Sequence, residues 1–163
     1  MIKKILIVLS AILVLLFLLV NILMQLFSKL SEDLLIASLP KYESSDCYYS
    51  EGFQDFTNYC KYYFPNNDEI LEALKVNRYL KPVTGDDVEE IKSYFENFKS
   101  WVEFQEYKDK YDFRDECIDT EDYFYIEDKN NCEKYKYYDK YDNYDVYFFD
   151  VETKILYFIH SNI

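Results

Sequence analysis

Glycine and proline are almost missing from this 163-residue chain, with two of the first and three of the second. Gly52 and Gly85 stand far apart, so no glycine-rich loop exists to cradle a phosphate. That excludes the usual nucleotide-binding fingerprints, and flexible linkers are excluded with them. His160 is the only histidine and no two cysteines have CxxC spacing, so a zinc site lacks its usual donors. No Ser, Cys or Thr is tied to His160 by motif, and no nucleophile–base–orienter set is nominated. His160, on an expected strand near the carboxyl terminus, reads as an edge or surface strand residue. Catalytic residues, cofactor and metal ligands are therefore all assigned as none, and the chain reads as non-enzymatic.

Acids are absent until Glu32, and the stretch before it is apolar. Ile5–Phe27 is interrupted only by Ser10, Asn21 and Gln25. A helix of that length reaches about 34 Å, enough for a hydrocarbon core of about 30 Å. Residues 1–30 are expected to be an N-terminal transmembrane anchor, with the membrane contacted through residues 5–27. Lys3 and Lys4 precede it, while Lys29 is followed at once by Glu32 and Asp33. The positive-inside rule keeps the amino terminus in the cytoplasm and sends the rest across the plasma (inner) membrane. A cleaved secretory signal followed by release is the alternative, but no pair of small residues follows at cleavage spacing.

Residues 31–46 then read as a short juxtamembrane segment, with helix running on toward Pro40, and 47–163 as one acidic, tyrosine-rich extracytoplasmic domain. The 136 residues after Phe27 carry all 31 acids against 16 bases, a net charge of −15. Such a charge repels nucleic acid and an anionic membrane surface, and favours a cationic protein or peptide. High charge often means disorder, yet disordered chains lack aromatics, and 19 Tyr with 13 Phe are ample for a core. Cys47, Cys60, Cys117 and Cys132 all lie outside the anchor. An even number of cysteines beyond a membrane reads as two disulfides, with local pairing, Cys47–Cys60 and Cys117–Cys132, preferred among three connectivities.

Element by element, the pattern predicts an α+β domain. A strand is expected over Phe56–Phe64 and a helix over Asp68–Lys75 capped by Asn67. The main amphipathic helix opens at Thr84, with Asp87 completing a capping box and Val83 and Val88 a hydrophobic staple. Its stripe is Val88, Ile91, Phe95, Phe98 and Val102, and the helix is expected to end near Lys108. Further strands are expected at Asp122–Glu127 and Tyr135–Tyr138, and a hairpin joins Tyr144–Phe149 to Lys154–His160. Both faces of that hairpin are apolar, which fits central strands of an antiparallel sheet with the Thr84 helix across one face.

Two further patterns are weaker. Asp109, Asp112 and Asp115 recur every three residues, as a solvated face would. Asp128–Asp139 has the length of a calcium loop but Glu133 where the turn needs glycine. The function expected is a membrane-anchored binding module for a cationic protein or peptide, an inhibitor or immunity-type protein being one version. A two-carboxylate cell-wall or glycan hydrolase and an accessory subunit of a membrane complex are the rivals. Binding-surface residues are not identified by the sequence.

Overall fold

A computed structural model describes residues 34–50, 56–131 and 141–163. The chain divides into two units, Met1–Ser38 and Leu39–Ile163. The described part of the first is the short helix α1 (Leu34–Ala37), which stops short of Pro40. The expected anchor lies outside the described residues, and among those no helix is long and apolar enough to cross a membrane.

The second unit is α+β. Its strands are β1 (Ser44–Tyr49), β2 (Phe56–Tyr63), β3 (Lys81–Pro82), β4 (Tyr123–Asp128), β5 (Asn143–Asp150) and β6 (Ile155–Asn162). They form one six-stranded sheet in the order β1-β2-β6-β5-β4-β3, antiparallel throughout. The carboxyl-terminal hairpin supplies its two central strands, as a run apolar on both faces requires. Tyr144 through Asp150 are all buried. Its turn is organised by Asp150, whose Oδ1 accepts the Glu152 and Thr153 amides at 2.9 and 3.0 Å. Lys154 follows at φ 59°, a left-handed position that a glycine-poor chain fills with another residue.

Helix α2 (Asp68–Val76) begins where expected, with Asn67 Oδ1 accepting the Glu69 amide at 3.2 Å. Helix α3 (Gly85–Val102) opens on the expected box, the Thr84 amide donating to Asp87 Oδ2 at 2.9 Å. Its buried residues are Ile91, Tyr94, Phe95, Phe98 and Val102, with Val88 packed at the margin. They cover the sheet face made by Tyr59, Phe124, Tyr144, Val146, Phe148 and Ile159. The helix ends at Val102 rather than near Lys108. The chain turns there because the next aromatics are wanted inside. Tyr107 reaches Thr57 (Oη to Oγ1 2.7 Å), Tyr111 donates to the Phe95 carbonyl at 3.3 Å, and Phe113 stacks on Phe95 at 3.7 Å.

The opposite face carries a row of rings along neighbouring strands. Tyr79 meets Tyr125 at 6.0 Å, Tyr125 meets Tyr147 at 6.1 Å, and Tyr147 stacks on Phe158 at 4.7 Å. Phe64 packs edge-on against Phe149, so the segment holding α2 is tied at both ends to this face. Ile70 and Leu74 of α2 are buried. Full burial of each such side chain stabilises by about 1.5–3 kcal/mol.

The tyrosines serve as the core material that their number offers. Tyr49 alone among the described tyrosines is exposed; the others are buried or half-buried. A large amphipathic ring can fill a core when its hydroxyl finds a partner, and Tyr59, Tyr107, Tyr111 and Tyr144 each find one.

Candidate functional site

The site residues that the sequence nominates are its four cysteines. Cys47 on β1 stands directly opposite Cys60 on β2, and the two are bridged. The Tyr62 hydroxyl lies 3.9 Å from Cys47 Sγ, and the Tyr49 hydroxyl 3.9 Å from Cys60 Sγ. The bridge pins an outermost strand whose sequence, Ser-Ser-Asp-Cys-Tyr-Tyr, has little apolar area of its own to hold it. The strand opens at Ser44, inside the stretch read as juxtamembrane.

Cys117 does not follow the expected local pairing. It carries a free thiol, and Cys132 lies outside the described residues. Cys117 closes a short 3-10 turn (Asp115–Cys117) and packs half-buried against the helix-side core. Burial, with Asp150 and Asp122 nearby, pushes its thiol up to about 12, so the thiolate needed for reaction is scarce.

The charge lies outside. Over Leu39–Ile163 there are 29 acids and 15 bases, a net charge of −14. Among the described acids only Asp122, Asp145 and Asp150 are buried. Bases, in contrast, are partly drawn inward. Lys61 is buried and bonds Asp112 Oδ2 at 2.7 Å, while Tyr59 donates to Asp112 Oδ1 at 2.7 Å. Burial opposes the Lys61 charge, but the hydrogen bonds and charges of Asp112 and Tyr63 together outweigh it and hold the ammonium above its ordinary value. Burial likewise works against the Asp112 carboxylate, and the bonds from Lys61 and Tyr59 still bring it below its ordinary value. Asp112 remains exposed, as the solvated face expected for the Asp109–Asp112–Asp115 pattern has it, while its two oxygens reach inward to Lys61 and Tyr59. It locks the segment after α3 onto β2.

A second buried polar group corrects the reading of His160. Strand β6 is central, between β2 and β5, and only 12% of the His160 side chain is exposed. Its Nδ1 faces Asp145 Oδ1 at 2.5 Å, and Lys129 Nζ meets the other oxygen, Oδ2, at 2.5 Å. Burial works against the Asp145 charge, yet the His160 and Lys129 contacts hold its carboxyl below the ordinary range. An ionised Asp145 takes the Nδ1 proton as a hydrogen bond and orients the ring, whose Nε2 is buried without a hydrogen-bond partner. Phe56 packs beside the ring at 4.9 Å. An oriented imidazole is the base of a triad, but no hydroxyl or thiol is hydrogen-bonded to it among the described residues.

Asp122 is the carboxyl with the largest upward displacement. Burial, aided by Asp119 and Asp150, raises it to about 6, although the amides of Val151 and Asp119 each donate to it at 2.9 Å. One oxygen receives each amide, so this carboxyl ties the loop before β4 to the β5–β6 turn. An open depression of about 750 Å³, lined by Lys99, Phe113, Arg114, Asp115, Glu116 and Cys117, does not include Asp122. In the segment with calcium-loop length, Asp128 Oδ1 accepts the Asn130 amide at 2.9 Å, an Asx turn. Glu133 and Asp139 lie outside the described residues, as does the expected strand Tyr135–Tyr138.

Among the described residues the surface therefore offers two features suited to recognition: dispersed negative charge and an open β1 edge with Tyr49 on it. No protein-family model matches the chain, and no curated protein or solved structure matches it either.

Proposed function

We propose that this chain is a non-enzymatic, extracytoplasmic binding module, held to the membrane by residues 5–27, that recognises a cationic protein or peptide. The observation that carries the reading is the net charge of −14 over Leu39–Ile163, with all but three of the described acids at least partly exposed. A field of that sign steers basic partners and rejects nucleic acid. The Cys47–Cys60 bridge agrees with an oxidising compartment. An inhibitor or immunity-type protein guarding its host envelope is the concrete version.

Co-purification of the full-length chain from its native membrane in mild detergent, at low and at high salt, tests this. A basic partner released by salt is expected. A salt-resistant integral membrane partner would favour an accessory-subunit role instead, and no partner at either salt would remove the reading.

A further inference from the structure

The two edges of the sheet are built differently. β3 is two residues long and ends in Pro82, which has no N–H to offer a further strand. β1 runs six residues without proline, and Ser44, Ser45, Asp46 and Tyr49 are exposed along it. Antiparallel alternation shows which of its backbone groups are spare. The Ser50 amide bonds the Thr57 carbonyl, and Cys47 faces Cys60 at a Cα–Cα distance of 4.1 Å, the close spacing of a non-hydrogen-bonded pair. Counting by twos, Ser44, Asp46 and Tyr48 turn their N–H and C=O toward β2. Ser45, Cys47 and Tyr49 turn theirs outward.

We propose that this outward edge, Ser45, Cys47 and Tyr49, captures an extended Lys- or Arg-bearing polypeptide segment by adding it as a further antiparallel or parallel strand. The inference rests on the acidic-module reading and gives it a place and a geometry. Backbone pairing supplies the grip and side-chain charge the selection. Glu43 and Asp46 are exposed at this edge with Lys41 the exposed base nearby, while Lys61, paired with Asp46 in register, is committed to Asp112. A second copy of the chain would set these acids against their like across the new ladder, which is unfavourable. The Cys47–Cys60 bridge holds β1 in strand form before a partner arrives, so less ordering is left to binding. Tyr49, 62% exposed, offers a ring against which a lysine or arginine stem can lie.

The test uses the full-length chain in mild detergent and a fluorescent peptide of about ten residues alternating Lys and Val, long enough to span the strand. A matched peptide carries N-methyl groups on the amides of one edge, with its charge unchanged. The unmodified peptide is expected to bind roughly tenfold more tightly or better, since two or more hydrogen bonds separate the two probes. Its binding should slow amide exchange at Ser45, Cys47 and Tyr49. Ser45→Pro removes one outward donor and no bond to β2, and should weaken binding several-fold; if that variant misfolds, the peptide comparison on the unaltered chain decides. Equal, salt-sensitive binding of both peptides would overturn the edge and leave the acidic module standing. Failure of both at low salt would overturn the acidic reading as well. A self-association lost in Ser45→Pro would assign the edge to a second copy and overturn the proposal.

Discussion

Replacing Asp122 with asparagine changes the pH dependence of stability in a direction that the structure dictates. Asp122 is 2% exposed, and its carboxyl is raised to about 6 from an ordinary 3.8. Between those two values the unfolded chain has released the proton and the folded chain still holds it. Fewer protons bound in the unfolded state mean that stability falls as pH rises. The contribution is fully present below about pH 4 and is lost on passing pH 6. A displacement of about two pH units corresponds to about 3 kcal/mol at its full extent. An asparagine side chain cannot titrate, so the variant should lose none of that stability over the same window. It does lose one acceptor, because its amide nitrogen faces an N–H of Val151 or Asp119, at a pH-independent cost of about 1–3 kcal/mol. The stability of Asp122→Asn relative to the unaltered chain should therefore improve by about 3 kcal/mol from pH 4 to pH 7. Urea unfolding of the full-length chain, followed by its single tryptophan, at steps across that range gives the difference directly. A difference flat with pH would refute the reasoning, since it would mean that burial does not hold the proton on Asp122.

Other expectations follow from the same structure. Replacing Cys47 and Cys60 together by serine opens a loop with a sequence separation of 13 and should cost about 3 kcal/mol in a urea titration. Asp145→Ala strands the buried His160 and the Lys129 ammonium, with an expected loss of about 2–4 kcal/mol; a surface-like loss below about 0.5 kcal/mol would contradict the buried pair. Cys117, with its thiol raised to about 12, should react with a disulfide reagent at pH 8 at least about tenfold more slowly in the folded chain than in urea, read by mass spectrometry of its peptide.

Much of the architecture is written in local patterns. Asn67 and Thr84 mark helix starts by their own chemistry, and the α3 stripe is periodic enough to point one face inward. The hairpin is legible because both of its faces are apolar, and that also fixes its place at the sheet centre. Its register places Asp145 opposite His160, a signal present in the chain that reading His160 as an edge residue passes over. The Lys61–Asp112 lock is not legible, since its partners are 51 residues apart and meet only after β2 and the segment following α3 have packed. Nor is the end of α3: Glu103–Lys108 is compatible with helix locally, and Tyr107 leaves because Thr57 lies within the core. Strand β1 is hidden for the opposite reason. Ser-Ser-Asp has poor strand propensity, and pairing with β2 overrides it. The tyrosine count announces a core built of rings, but not which rings enter it, since that depends on strand register and on hydroxyl partners distant in the chain.

The acidic-module account is tested most directly by measuring the association rate of the basic partner recovered at low salt across a range of ionic strength. Steering by a domain of charge −14 predicts an association rate that falls roughly tenfold or more from low to high salt, with dissociation changing little. A rate indifferent to salt would contradict it.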